Sequence, residues 1–337
     1  MAFQLYLGCD ISQDSFHFCL RSSKEILLQG QVINGLKPVR TWLKELKKTH
    51  HLDLSSVLFC LEHTGVYTAI VLRELSHQSL HVCLQSALNI KLSLGLMRGK
   101  NDKIDAQRIA EYAMRNADRL PLWKPKRQAI ERLQLLIRMR DRLIKSRTEL
   151  SRFNQDAKRF LPPEEAKLIL AGTKRSLDSI TKDIHQADHS IQSIIESDEN
   201  LTRLNRLITS INGVGPITSS AIIVRTNEFK DITEAKKFAC TAGVAPFEHT
   251  SGTSVKGKTR VSHLAHKDIK TLLHMCAVGC ISRKGELRDY YDRKIAQGKN
   301  KMSVLNAIRN KIVHRAFAVV RDNVMYQKDY KYQLHMA

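Results

Sequence analysis

Two short apolar runs that each stop at a carboxylate constrain this chain more than any other feature. Leu5-Tyr6-Leu7-Gly8-Cys9-Asp10 and Val57-Leu58-Phe59-Cys60-Leu61-Glu62 have the length and composition of buried strands. Each delivers its acid to a strand end. A third segment, Gly99-Lys100-Asn101-Asp102-Lys103-Ile104-Asp105, opens a helical pattern, and its i, i+3 spacing puts Asp102 and Asp105 on one helix face. Four carboxylates brought together repel strongly unless a divalent cation neutralises them. Hard cations take oxygen ligands, so Asp10, Glu62, Asp102 and Asp105 suit a Mg²⁺ (or Mn²⁺) site for phosphate-ester chemistry. The bland alternative is capping: strand-end acids often cap the next helix, and Asp102 is placed to be an N-cap.

The surrounding pattern predicts an α/β unit. Strands are expected at 4–10, 15–21, 26–33, 56–62 and 80–85, the first three close enough for an antiparallel meander. Helices are expected at 36–49, 66–77, 87–96 and 102–116. Three adjacent strands followed by helix-separated strands, with acids at strand ends, fit a ribonuclease H-like domain over 1–120.

Pro121 and Pro125 mark a boundary. Residues 126–160 read as a long basic helix with apolar Ile130, Leu133, Ile137 and Ile144. Within 124–160 there are 12 Lys+Arg and 4 Asp+Glu, a net of +8. Pro162-Pro163 breaks this helix, and a second runs from about 164 to 197. In it Leu177, Ile180, Ile184, Ala187, Ile191 and Ile194 alternate spacings of three and four, a heptad seam. The span 121–202 is therefore expected to be a helical hairpin or coiled-coil arm, packed within the chain or engaged in dimerisation or nucleic-acid clamping.

The third span, 203–337, is expected to be mostly helical. Ile211-Asn212-Gly213-Val214-Gly215-Pro216 lies between two helical patterns and resembles a helix-hairpin-helix, in which Gly213 and Gly215 would let backbone approach a phosphate. Helices are expected at 233–242, about 262–281 and 301–323, with a polar loop at 246–261. That loop is rich in Ser, Thr and Gly. As a surface loop its hydroxyls face water; as a functional loop it presents a serine to a phosphodiester, with Lys256, Lys258 and Arg260 stabilising developing charge and His249 orienting or deprotonating. His263 and His266 stand at i, i+3 without Cys or acidic partners nearby, which favours ordinary histidines over metal ligands.

Composition narrows the partners. The chain carries 55 Lys+Arg against 33 Asp+Glu, a formal net charge of +22, and residues 251–328 alone hold 17 Lys+Arg and 5 Asp+Glu. A polyanionic partner, most simply nucleic acid, is implied. No run of about 18 apolar residues suits a bilayer, and Met1-Ala2-Phe3-Gln4 lacks the charged start of a secretory signal. Seven scattered cysteines without a CxxC pair read as reduced thiols, so a cytoplasmic protein without a membrane partner is expected.

Taken together, LGCDIS at 7–12, CLEHTGVY at 60–67, LGLMRGKNDKIDAQRIAEYA at 94–113, INGVGPITSSAII at 211–223 and AGVAPFEHTSGTSVKGKTRVSH at 242–263 resemble the DEDD transposases of the insertion-sequence one-ten family, recombinases guided by a structured bridge RNA, with the pilin-gene invertases as relatives. The resemblance spans most of the chain. It implies that Asp10, Glu62, Asp102 and Asp105 form the family's metal-binding tetrad in a fold like that of Holliday-junction resolvases. It implies that Ser251, immediately before Gly252, is the catalytic serine, with Ser254 the nearby competitor. Lys100, Gly213, Gly215, Lys256, Lys258 and Arg260 become candidate nucleic-acid contacts. The implied partners are donor DNA, target DNA and a bridge RNA, with the chain acting as a homo-oligomer, a dimer or a synaptic tetramer. The implied reaction cuts and rejoins DNA through a covalent phosphoserine. Two rival readings stand beside it: a junction resolvase that hydrolyses DNA with the acids alone, and a non-enzymatic nucleic-acid-binding protein. The second leaves the acid constellation without a purpose.

Overall fold

The computed structural model describes residues 3–48, 50–94, 101–251, 255–261 and 265–327, with the side chains of 94, 248–251 and 255–260 outside that description. It divides into two compact units, residues 1–125 and 126–337.

The first unit is built on a five-stranded sheet. β1 (Leu5–Ile11), β2 (Ser15–Arg21) and β3 (Ile26–Ile33) form the expected antiparallel meander. β4 (Val57–Glu62) and β5 (His81–Gln85) add to it in parallel, giving the order β3-β2-β1-β4-β5. The two faces follow from the period of two along a strand. Odd positions of β1 and β4, namely Leu7, Cys9, Ile11, Val57, Phe59 and Leu61, are buried on one side. Helices α1 (Leu36–Lys48) and α2 (Ala69–His77) cover that side through Val39, Trp42, Leu43, Leu46, Val71 and Leu75. Trp42 meets Phe16 edge-on with centroids 5.2 Å apart. A short helix, α3 (Ala87–Leu94), follows β5.

Even positions face the other way, toward α4 (Asp102–Asn116). Leu58, Cys60 and Cys83 pack with Ile109, Tyr112 and Ala113 of that helix, and Cys19 packs with its Ala106 and Ala110. The approach is close because β1 offers Gly8 at the crossing. A Cβ there would stand 2.5 Å from the Ala106 carbonyl oxygen and 2.8 Å from the Ile109 carbonyl carbon.

The second unit is mostly helical. α5 (Gln128–Phe160) and α6 (Pro163–Glu196) form the expected antiparallel pair around the Pro162-Pro163 break. The seam is covered within the chain: Ile184, Ala187 and Ile191 are buried, and so are Ile130, Leu133 and Ile137 of α5. At its last turn the buried position is Ile195 rather than Ile194, as the drift of a 3.6-residue helix against a seven-residue repeat requires. The root of the hairpin joins one core with α7 (Glu199–Thr209), α8 (Pro216–Thr226), α9 (Ala235–Thr241), α10 (Lys267–Ile281), α11 (Glu286–Ala296) and α12 (Lys301–Asp322).

The polar loop expected at 246–261 is instead a β-hairpin, β6 (Pro246–Ser251) paired antiparallel with β7 (Val255–Val261). Its abundance of Ser, Thr and Gly suggests a loop. The alternation of Val255, Thr259 and Val261 with Lys256, Lys258 and Arg260 is nevertheless a strand pattern. Two further differences follow in sequence. The helix expected from about 262 begins at Lys267. The charged stretch 286–296, without a clean apolar stripe, is helical, and Leu287 is its buried anchor.

Candidate functional site

Register places the acids. Gly8 pairs with Cys60 and Cys9 with Leu61 across the parallel β1–β4 step. One residue beyond stand Asp10 and Glu62, both even positions and therefore on the α4 face. Asp10 pairs with His17 of β2, and Glu62 with Gln85 of β5. Four polar residues from four strands thus form a row at one end of one sheet face. Gln85 is buried, and its Oε1 accepts from the Tyr112 hydroxyl at 3.3 Å, which ties the end of the row to α4.

The first turn of α4 belongs to the same face. Ala106 rests over Gly8, so Asp105 and Asp102 lie immediately before that crossing. The Asp102 carboxylate stands 4.0 Å from His17 Nδ1. Asp105 is half-buried and receives Arg108 Nη1 at 2.8 Å. The capping alternative does not account for these acids. Asn101 is the N-cap: its side chain accepts from the Lys103 backbone N–H at 3.0 Å, leaving Asp102 as the first helical residue. Acids in this turn also favour the helix dipole, a modest term of about 0.3–1 kcal/mol each.

Four carboxylates without a sulfur ligand would suit a hard cation. Among the described residues, however, no three acidic, histidine or cysteine groups lie close enough together to hold an ion. Register and the Gly8 crossing bring the four to one face without closing them around an ion, with Asp105 engaged by Arg108 and Asp102 near His17. His17, Gln85 and Arg108 escape a reading of the sequence because their relevance is a matter of pairing. The tight turn between β1 and β2 is the one signal that could have placed His17 beside Asp10.

In the second unit, Ser251 is the last residue of β6 and pairs with Val255, at the tip of the hairpin. Lys256, Lys258 and Arg260 occupy alternate positions of β7. Lys100, Gly252, Ser254 and His263 lie outside the described residues, as does the side chain of His249. His266 is the N-cap residue of α10; burial, and then the nearby Arg225, hold its imidazole below the usual range.

The helix-hairpin-helix expectation meets a specific constraint. Gly213 has φ +84°, and a Cβ there would lie 2.9 Å from the Cys276 carbonyl and closer still to Cys280 Sγ. Its glycine is required by the turn and by α10 packed against it. Gly215, the N-cap of α8, has open space at the same atom. Beside the turn lies a cavity of about 120 Å³ whose lining includes Asn212, Gly213, Arg283, Lys284 and Arg315.

A buried charge network fixes the hairpin root. The Glu228 side chain is fully buried and accepts from Arg127 Nη2 at 2.5 Å, Asn200 Nδ2 at 2.7 Å and Lys230 Nζ at 3.0 Å. Arg127 also donates to Asp198 at 2.8 Å. Burial pushes the Glu228 carboxyl up, but the hydrogen bonds from Arg127, Lys230 and Asn200 outweigh it and hold the group below its ordinary value.

Comparison with known proteins matches both units. A family model of DEDD transposases of the IS110 type matches residues 7–157, and one described as "Transposase IS116/IS110/IS902 family" matches 205–292. The pilin gene-inverting protein of Moraxella bovis is 27% identical over 96% of this chain and 98% of its own length, and that of Moraxella lacunata is equally similar. The transposase for insertion sequence element IS1111A of Coxiella burnetii is 30% identical over 45% of this chain and 47% of its own. The chain belongs to the IS110 family of DEDD transposases, and is a DNA transposase/recombinase enzyme.

Proposed function

We propose that this transposase cuts and rejoins DNA through a covalent phosphoserine at Ser251, assisted by a divalent cation on Asp10, Glu62, Asp102 and Asp105, and guided by a structured bridge RNA. The observation that carries the metal part is the shared face: Asp10 and Glu62 directly follow the paired Cys9 and Leu61 of adjacent parallel strands, on the side where the first turn of α4 presents Asp102 and Asp105. A DEDD-type domain implies dependence on a divalent metal, and a carboxylate-only donor set suits Mg²⁺ or Mn²⁺. When bound, such an ion supplies charge neutralisation at the scissile phosphate and at the leaving oxygen. The strand order β3-β2-β1-β4-β5, with an antiparallel meander followed by parallel strands, supports a ribonuclease H-like reading of residues 1–120. The helical arm at 121–202 and the transposase segment at 203–337 complete the chain.

The serine step balances without an external energy source. Ser251 Oγ bonds to phosphorus, the phosphorus–O3′ bond breaks, and the serine proton passes to the released 3′ oxygen. A 3′-hydroxyl of the exchanged strand then attacks the phosphoserine, restoring the serine. Support comes from the placement of Ser251 at a hairpin tip, where strand pairing fixes a backbone that a loop would leave free. The net charge of +22 supports nucleic-acid partners, and the basic arm and C-terminal region give a bridge RNA and DNA separate surfaces to occupy. Assembly as a dimer or a synaptic tetramer fits an enzyme that must hold two DNA partners.

The experiment is strand exchange with purified protein, Mg²⁺ and the element's own flanking DNA, with and without the adjacent non-coding RNA. Exchange that requires the RNA and is abolished by Asp10→Asn supports the proposal. Metal-dependent cutting without rejoining would favour the resolvase reading.

A further inference from the structure

Two cationic side chains and a histidine of the second unit meet without a carboxylate. Arg309 of α12 is only 5% exposed. Its Nη2 lies 2.7 Å from His274 Nδ1 and its Nη1 lies 3.4 Å from Asn306 Oδ1, while its buried Nε–H has no hydrogen-bond partner. Lys270 stands one turn before His274 on α10, so the two share a helix face. Among the described residues, no acid pairs with any of the three. Burial, and then Arg309, push both Lys270 and His274 below their ordinary values, and burial alone lowers Arg309.

This arrangement is costly for a purely structural arginine. A guanidinium taken out of water without a counter-charge is destabilising, and a buried N–H left unpaired adds its own desolvation cost. Elsewhere this unit answers its buried charge: Glu228 has Arg127, Lys230 and Asn200. The cluster on α10 and α12 has an orphaned donor instead, and an anion would satisfy it. Its location is informative too. Asn306 Nδ2 donates to the Val244 carbonyl at 2.9 Å, two residues before β6. The cationic cluster is thereby tied to the foot of the hairpin that ends at Ser251. Because Arg309 donates to Nδ1, the His274 imidazole carries its proton on Nε2, where it is a donor.

We propose that Arg309, His274 and Lys270 form a phosphate-binding site that holds one backbone phosphodiester of the DNA at the foot of the β6–β7 hairpin. The site rests on the chain's acting on DNA and does not require Ser251 to be the nucleophile. Its role is to position the DNA, fixing where the duplex lies on the hairpin.

The test is duplex-DNA affinity of the full chain across a salt series. Arg309→Lys keeps the net charge while removing the guanidinium fork; Lys270→Gln removes one charge from a partly exposed position; Lys44→Gln removes one charge from the exposed side of α1 as the control. The site predicts that Lys270→Gln weakens binding several-fold and lowers the slope of log affinity against log salt by about 0.9, the signature of one lost phosphate contact. Arg309→Lys should weaken binding at least as much, and Lys44→Gln should leave both readings near the parent's. Should Arg309→Lys fail to fold, Lys270→Gln alone decides. Lys270→Gln behaving like Lys44→Gln would overturn the proposal while leaving the transposase reading intact. An effect seen only with RNA of equal length would overturn the assignment to DNA. A parent protein that binds no duplex DNA at all would remove both the site and the wider reading of the substrate.

Discussion

Gly8 of β1 carries the backbone of Ala106 so closely that any side chain there would strike it: a Cβ would stand 2.5 Å from that carbonyl oxygen. The acid turn of α4 is immediately upstream of Ala106, so the position of Asp102 and Asp105 depends on a missing side chain two residues before Asp10. Gly8→Ala should push α4 off the sheet, costing about 1–3 kcal/mol by overpacking. Its effect on strand exchange should exceed what that stability loss explains. Denaturant melts beside activity assays check this; full activity with unchanged stability would show that α4 need not sit where it does.

Neutralising an acid should separate chemistry from folding. Asp10→Asn and Asp105→Asn are expected to abolish strand exchange while the melting temperature stays within a few degrees of the parent. Asp105→Asn also weakens a half-buried ion pair with Arg108, so a small destabilisation, about 0.5–1 kcal/mol, should accompany it. Calorimetric titration with Mn²⁺ should show weakened metal binding in both variants, and parent-like binding would remove these residues from the metal site.

The Arg127–Glu228–Asp198 network predicts acid sensitivity of the second unit. Glu228 and Asp198 both have carboxyls held below their ordinary range in the folded state. Their stabilisation is therefore complete above the unfolded carboxyl value, roughly pH 4, and is lost as pH falls through the lower folded values. Arg127→Met should cost about 2 kcal/mol at neutral pH, less than for a fully enclosed pair because Arg127 retains 42% side-chain exposure. The parent's advantage over Arg127→Met should shrink as pH drops below 4. A constant difference down to pH 2 would mean that the carboxyls are not the source of the stabilisation.

Replacing Ile184 and Ile191 by Asp should unfold the hairpin root rather than yield well-folded monomers. Ile184 is 4% and Ile191 1% exposed, and Ile191 belongs to the core shared by α7 to α12. Circular dichroism and light scattering together distinguish the outcomes. A folded monomer would show that these two positions serve assembly and not packing.

The first unit was legible because its signals are local. Period-two burial and strand length lie in contiguous residues, and the expected strands differ from the observed ones by no more than one residue at any end. The cap was misplaced by one, at Asp102 rather than Asn101. The β6–β7 hairpin was obscured by composition, since Ser, Thr and Gly fill positions 250–254 between two short runs. Arg309 was not legible at all. An arginine at i, i+3 from Asn306 on a basic helix looks like a solvated face until α10 places His274 against it. The same limit applies to His17 and Gln85, which reach the acid row only through cross-strand pairing.

The most direct measurement is a covalent trap. Parent protein, Mg²⁺, RNA and a labelled DNA substrate are mixed, quenched in denaturant, and run on a denaturing gel with peptide mass spectrometry of any shifted species. The account predicts a protein–DNA adduct attached at Ser251, absent in Ser251→Ala and retained in Ser254→Ala. An adduct that persists in Ser251→Ala and disappears in Ser254→Ala would assign the wrong serine. DNA cut by the parent without any adduct would contradict the phosphoserine account and leave hydrolysis in its place.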